Sequence, residues 1–143
     1  MHTINETEVK MKTTILTLFI LVFTATLACA VDKEYLERLH DDFLALNKNL
    51  LPIRLDAITT MEEIRILKLN NQYYVVTEAR IDTAMKTMGG NSLYIMRKAS
   101  IKSGCSDPAT MNYMEHGLKI GAIYENRNGV HLGEFQYSID DCN

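Results

Sequence analysis

Apolar residues recur with helical spacing near residue 40, and this pattern predicts the first element of the fold. The spacing alternates between three and four residues, so the side chains form one stripe along a helix over residues 32–51. Asp32 is a suitable N-cap, and Pro52 ends the helix because it favours extended backbone before it. We expect the stripe to pack on a sheet, and we hypothesise that it also receives a partner helix. The stripe residues assigned to this partner-binding surface are Leu36, Leu39, Phe43 and Leu46.

Alternation of apolar and polar residues predicts two strands after this helix. Residues 62–69 and 72–81 have the strand pattern, and the two asparagines between them favour a tight turn. Both faces of the second strand are apolar, since Tyr74 and Val76 alternate with a separate apolar set. A sheet that is apolar on both faces needs cover on both sides or a partner on one. We therefore assign Tyr74 and Val76 to the partner-binding surface as well.

Two further helices are predicted in the middle of the chain. Residues 91–103 combine apolar and polar positions with helical spacing. A shorter helix follows, with Ser106 or Asp107 as its candidate N-cap, Pro108 near its first position and Gly117 at its end. These helices separate the first pair of strands from the last pair.

The chain ends in a predicted hairpin, which completes the fold class. Residues 118–125 and 130–139 read as strands, and Asn128-Gly129 predicts a two-residue turn in which both residues have positive φ. The element order is α-β-β-α-α-β-β. This order predicts an α+β domain with an antiparallel sheet of four to five strands, an N-terminal helix and two central helices.

The residues before this domain have the composition of a secretory signal peptide. Residues 11–30 carry Lys12, then an apolar run, then the small residues ACA that suit signal peptidase. The apolar run is shorter than the ~20 residues that span a bilayer. We therefore predict a signal peptide in residues 1–30, with translation starting at Met11, and a single periplasmic domain in residues 31–143.

The three cysteines divide between these two regions. Cys105 and Cys142 lie in the exported domain, where two cysteines most simply form one disulfide. A redox or metal-binding pair is the alternative, but the spacing is not CxxC and no cluster of His or Cys accompanies them.

Cys29 has two alternative fates. Cleavage after Ala30 removes it, whereas cleavage after Ala28 makes it the first residue of the mature chain and a candidate for lipidation. A lipoprotein signal usually has a branched apolar residue where this chain has Thr26. The sequence therefore favours a product without lipid.

Charge and motif content favour a binding protein over an enzyme. The net charge is -3 and the chain has no basic cluster, which argues against nucleic acid as a partner. His40, His116 and His131 are scattered, and no metalloprotease, hydrolase or phosphate-binding motif is present. We predict a non-enzymatic protein without metal or cofactor.

Several short motifs resemble one family. The segment NLLPI of residues 49–53 follows the first helix, CSDP of residues 105–108 opens the short helix, Gly117 precedes the hairpin, and Cys142 closes the domain. In this order they resemble the small pilotins of type II secretion systems, of the AspS (GspS-beta) kind. The resemblance covers roughly residues 48–142.

The resemblance implies a periplasmic α+β protein with a disulfide, a pilotin. Such a protein binds the C-terminal segment of an outer-membrane secretin, assists its sorting and assembly, and reaches the outer membrane through a lipid on a cysteine, here Cys29. The alternative is a soluble periplasmic inhibitor or immunity-type binding protein with the same disulfide-stabilised scaffold.

Overall fold

The computed structural model describes residues 31–143, so the predicted signal peptide and its Cys29 lie outside the described residues. The described part contains three α-helices, five β-strands and a final 3-10 helix. None of these helices is long and apolar enough to cross a membrane. In chain order the elements are α1 (Lys33–Asn49), β1 (Ile53–Arg54), β2 (Thr59–Leu69), β3 (Gln72–Ile81), α2 (Gly90–Gly104), α3 (Pro108–Glu115), β4 (Lys119–Asn126), β5 (His131–Tyr137) and the 3-10 helix Ile139–Cys142.

The five strands form one sheet whose spatial order follows the chain, β1-β2-β3-β4-β5. Every neighbouring pair is antiparallel except β3 and β4, which are parallel. The α+β class and the order of the main elements are confirmed, but the sheet is mixed, so the expectation of a purely antiparallel sheet is wrong. The reason is the connection through α2 and α3. This long crossover returns the chain to the end of the sheet where β3 began, so β4 runs in the same direction.

All three helices lie on one face of the sheet. Val75 on β3 and Tyr137 on β5 share a register row, so their side chains point to the same side. Val75 belongs to the core cluster with Leu39 and Phe43 of α1. The hydroxyl of Tyr137 lies against Gly104 at the end of α2, where no side chain intervenes. The opposite face of the sheet therefore carries no helix of the described residues.

Side-chain caps fix the starts of α1 and α3, as predicted. The Asp32 carboxylate accepts a hydrogen bond from the backbone N–H of Glu34 at 3.1 Å. The Asp107 carboxylate accepts from the side-chain hydroxyl and the backbone N–H of Thr110 at 2.6 and 2.8 Å, and Pro108 follows at the first helical position. These two hydrogen bonds lower the pKa of Asp107 because they favour its charged form, and the bond from the Thr110 hydroxyl has the larger effect.

The two hairpins have different turns. Asn70 and Asn71 have φ of 48° and 61°, and they link a Leu69–Gln72 pair. This is the two-residue turn with positive φ at both positions that suits the twist of a hairpin.

The second hairpin departs from the prediction. Gly129 has φ of 74°, as expected, but Asn128 is not in the positive-φ region, so the predicted two-residue turn is wrong. Asn126 holds a longer turn, because its side-chain oxygen accepts from the N–H groups of Asn128 and Val130 at 2.8 and 2.9 Å. Its backbone carbonyl accepts from the Gly129 N–H at 3.0 Å.

A disulfide joins Cys105, the C-cap of α2, to Cys142 in the final 3-10 helix. The bond confirms the predicted pairing, although it reaches the segment after β5 and not β5 itself. An ion pair supports the same segment, since Arg97 Nη2 lies 2.7 Å from Asp141 Oδ1. Arg97 Nε also donates to the carbonyl of Gln136 at 2.9 Å.

We expect the double substitution Cys105→Ser, Cys142→Ser to lower the free energy of unfolding by about 4 kcal/mol, because it frees a long loop in the unfolded chain. Urea unfolding of oxidised wild type and of the variant measures the difference. Peptide mapping of protein from the periplasm without reductant should yield the linked pair. Two alkylatable thiols there would contradict the bond.

We expect Gly129→Val to lower the free energy of unfolding by roughly 1–2 kcal/mol, because a side chain at positive φ is strained. Asn128→Val is the matched control, since it places the same side chain at the neighbouring position of ordinary φ. Equal urea midpoints for the two variants would contradict the role assigned to Gly129.

Candidate partner-binding face

The face of the sheet opposite the helices is the candidate site, and we call it the helix-free face. Strand alternation places on it every second residue of β2, β3 and β4, in register rows. One row is Leu67, Tyr74 and Lys119, and the next is Arg65, Val76 and Gly121. Apolar and charged residues are both present. The apolar members are Leu67, Leu69, Tyr74, Val76 and Ile123.

A shallow concavity lies at the centre of the helix-free face. Its volume is about 360 Å³. Its lining combines apolar residues, among them Leu67, Tyr74, Val76 and Ile123, with the polar Asn70, Glu134 and Gln136. Gly121 forms the floor because it has no side chain, and a Cβ atom there would lie 3.4 Å from Val76 Cγ2. Val76 is only 4% exposed, so it supports the floor and offers little surface of its own. The walls therefore come from the larger half-buried side chains around it.

An ion pair crosses the rows beside this concavity. Arg65 Nη2 contacts the carboxylate of Glu78, and both side chains are partly buried. Glu78 is on β3, two residues after Val76, so the pair lies against the apolar floor. The face thus combines an apolar centre with fixed charges, which is typical of surfaces that bind a protein segment.

The structure separates the residues that the sequence analysis had grouped as one partner-binding surface. Leu39 and Phe43 are 6% and 4% exposed and belong to the protein's own core. Leu36 is partly buried against the same core, and Leu46 is half-buried. The stripe of α1 is therefore a packing surface on the helical side of the sheet, and it lies opposite Tyr74 and Val76. We do not retain the four α1 residues in the candidate site.

Some backbone groups already have partners at the open edges of the sheet, which are the part of β2 beyond its short pairing with β1 and the outer side of β5. On β2, the side-chain amide of Asn47 donates to the carbonyl of Ile64 at 2.7 Å and accepts from its N–H at 2.9 Å. On β5, the carbonyl of Leu132 accepts from the N–H of Met88 at 3.1 Å. Such contacts hinder the addition of a further strand. The helix-free face is therefore better suited than either edge to receive a partner.

A second concavity lies between α1 and α3, but its groups are engaged with one another. The ring of Tyr35 stacks on that of His116 with centroids 3.9 Å apart, and its hydroxyl donates to Asn112 Oδ1 at 2.9 Å. Burial, and then the charge of Tyr113, raises the pKa of Tyr35, while Arg38 lowers it. These contacts connect two helices, and we interpret them as structural.

The histidines are dispersed, as the sequence indicated. His116 Nδ1 lies 2.8 Å from the carbonyl of Asn112, and His131 Nε2 lies 3.9 Å from the carboxylate of Glu134. Within residues 31–143, no group of three or more His, Cys, Asp or Glu residues has the geometry to hold a metal ion.

Comparison by sequence gives no match, either to protein-family models or to curated proteins. Comparison by structure gives three clear similarities. The pilotin EpsS of the Vibrio vulnificus type 2 secretion system superimposes with a TM-score of 0.53 at 16% identity, over 78% of this chain and 98% of EpsS. The type II secretion pilotin AspS of Vibrio cholerae has a TM-score of 0.52 at 14% identity, over 77% of this chain and 94% of AspS.

The fold is that of the AspS-type pilotins. A Pseudomonas aeruginosa protein described as secreted also shares this pilotin fold, with a TM-score of 0.59 at 10% identity over 77% of this chain and 91% of that protein. At such identities the similarity concerns the backbone architecture and not individual side chains. The resemblance drawn from short sequence motifs is thereby confirmed at the level of the fold.

Some residues of the helix-free face were not identified from the sequence. Leu67, Leu69 and Ile123 were placed in strands, but their face was not assigned, and Gly121 was not noted. The alternation of β2 contained a signal, because Leu67 and Leu69 are separated by a lysine and continue the phase of Arg65. Assigning that phase to one face required the register with β3, which the sequence alone does not supply.

Proposed function

We propose that the domain is a pilotin-like, non-enzymatic protein of the periplasm that binds the C-terminal segment of an outer-membrane secretin and assists its sorting and assembly. The observation that supports this most directly is the partly apolar concavity on the helix-free face of a pilotin fold. The partner segment binds there as an amphipathic helix. Its apolar side covers the concavity around Gly121.

The size of the surface is compatible with specific binding of a short helix. Leu67, Tyr74 and Ile123 are half-buried and Leu69 is 51% exposed, so each has apolar area left to bury. Burying about four Leu-sized side chains of the partner contributes roughly 6–12 kcal/mol. The apolar area of the wall residues that becomes buried adds to this. The sum, less the cost of association and of ordering the helix, corresponds to a Kd of about 1 μM.

Tyr74 and Val76 have different roles on this face. Tyr74 forms part of the wall and contacts the partner, whereas Val76 packs beside Gly121 and supports the floor. A substitution of Val76 would therefore alter folding and binding together. Substitutions of the wall residues affect binding alone and provide the cleaner test.

We expect Leu67→Asp and Leu69→Asp each to weaken binding of the secretin segment at least tenfold, because each places a charge against the apolar face of the partner. Isothermal titration of the purified domain with the C-terminal segment of the secretin from the same genome measures the Kd. The melting temperature of each variant should stay near that of wild type.

Leu44→Asp and Ile95→Asp are matched controls, since these side chains are 54% and 58% exposed on helices away from the helix-free face. Both should bind like wild type. If wild type shows no titratable binding, the secretin-binding proposal is wrong, and the soluble inhibitor becomes the better hypothesis.

The N-terminus of the mature protein tests how the domain reaches the membrane. The cleavage sequence leads us to expect Val31 as the first residue, which the intact mass of protein purified from the cell envelope measures. A mature chain that starts with a diacylglyceryl Cys29 would contradict this cleavage and would support attachment to the outer membrane. Secretin binding by the domain is independent of either outcome.

A further inference from the structure

Charge is distributed unevenly along the helix-free face. Three glutamates lie in a single register row across the sheet, on β2, β3 and β5, with Ile123 of β4 among them. They are Glu63, Glu78 and Glu134. The next row outward adds Arg80 and Glu125. The end of the face where β3 finishes is therefore rich in carboxylates.

The arginines near this end are already paired. Arg65 contacts Glu78, and Arg80 Nη2 lies 2.6 Å from Glu62 Oε1. Among residues 31–143, no Lys or Arg lies within 4 Å of the carboxylates of Glu63, Glu125 or Glu134; Glu134 has His131 at 3.9 Å. Three acidic groups thus retain unneutralised charge at one end, which we call the acidic end.

The other end of the face has the opposite character. Lys119 shares a row with Leu67 and Tyr74, and Leu69 and Gln72 form the next row. No carboxylate lies in these two rows. An electric field therefore runs along the strands, from the lysine row to the acidic end, with the concavity between them.

A bound helix has its own dipole, positive at its N-terminus and negative at its C-terminus. The face spans about 26 Å along β3, and a helix of about 17 residues has the same length. Its N-terminal turns would then lie over the glutamates and its C-terminus beside Lys119. Reversal would place like charges together at both ends.

We infer that the helix-free face binds its partner helix in one direction, with the N-terminal end at the acidic end, and that it selects amphipathic helices with basic residues in their first two turns. This inference rests on the proposed function, since it concerns the same face. A helix that ends at the carboxyl terminus of its chain fits Lys119 well, because its terminal charge is negative.

Two synthetic peptides of equal composition test the inference. Each has about 17 residues, blocked ends, leucines on one side at spacings of three and four, and glutamine and alanine elsewhere. One carries four Lys and Arg residues in its first two turns, and the other carries them in its last two turns. A hydrocarbon staple on the solvent side, checked by circular dichroism, gives both peptides the same helicity.

We expect the peptide with basic N-terminal turns to bind roughly fivefold more tightly, because its charges and its dipole act together. This difference in affinity should fall as the salt concentration is raised from about 0.05 to 0.5 M, because the screening length of the electrostatic interaction shortens. Glu63→Gln with Glu134→Gln should remove most of the advantage. Glu115→Gln is the control, because Glu115 is exposed at the end of α3, and this substitution should leave the difference in affinity between the two peptides unchanged.

A nitroxide label gives a direct measurement of direction. When the nitroxide is attached to the N-terminus of the tighter-binding peptide, it should broaden the backbone amide NMR signals of Glu63 and Glu134 in the isotopically labelled domain. Attached to the C-terminus, it should broaden those of Leu69, Tyr74 and Lys119. Equal broadening at both ends from either label would overturn the inference.

The outcomes separate this inference from the proposed function. Equal affinity of the two peptides, with the secretin segment still bound, overturns the inference alone. If neither peptide binds but the secretin segment does, the inference alone is again overturned. Failure of all three ligands to bind overturns the inference and the proposed function together.

Discussion

The packing of Leu39 and Phe43 of α1 against Val75 of the central strand is the contact on which the rest of the architecture depends. It places α1 on the face of the sheet that α2 and α3 also cover. Leu118, 2% exposed and immediately before β4, completes this cluster and fixes the start of β4 beside β3. Because α1, α2 and α3 are held on one side, the other side of an apolar strand carries no helix of residues 31–143. The candidate site is therefore a consequence of how the core is built.

Local patterns in the sequence were sufficient for most elements but not for their arrangement. The period of the α1 stripe predicted a helix, and the alternation in β3 predicted a strand, because each period reflects the geometry of one element. The stripe was also considered as a binding surface. An apolar stripe shows only that one side of a helix is buried. The same pattern results whether the protein's own sheet or another protein covers that side. Tyr74 and Val76 lie on the helix-free face, because the opposite side of β3 packs against α1. Their role in binding stays a prediction.

Two further differences have the same origin in non-local contacts. The parallel pairing of β3 with β4 depends on where two helices return the chain, which no pair of strands encodes by itself. The wider turn after β4 depends on Asn126, whose side chain binds two N–H groups of the turn and also donates to the carbonyl of Met85 at 2.9 Å. Asn126 is 1% exposed, so this polar side chain is held inside the fold by these bonds. A dipeptide pattern such as Asn128-Gly129 does not predict these hydrogen bonds from the Asn126 side chain.

The charged residues of the helix-free face also limit the size of its continuous apolar surface. Arg65 and Glu78 lie against the floor beside Val76, so the apolar area is interrupted by an ion pair and does not extend as one large patch. Ion pairs of this kind contribute little to stability when partly exposed. Their effect is on which partners are accepted, since a neutral apolar chain that covers them must desolvate them without compensation. A helix with its own charges in matching positions avoids that cost, and this selectivity follows from the same rows of residues that form the concavity.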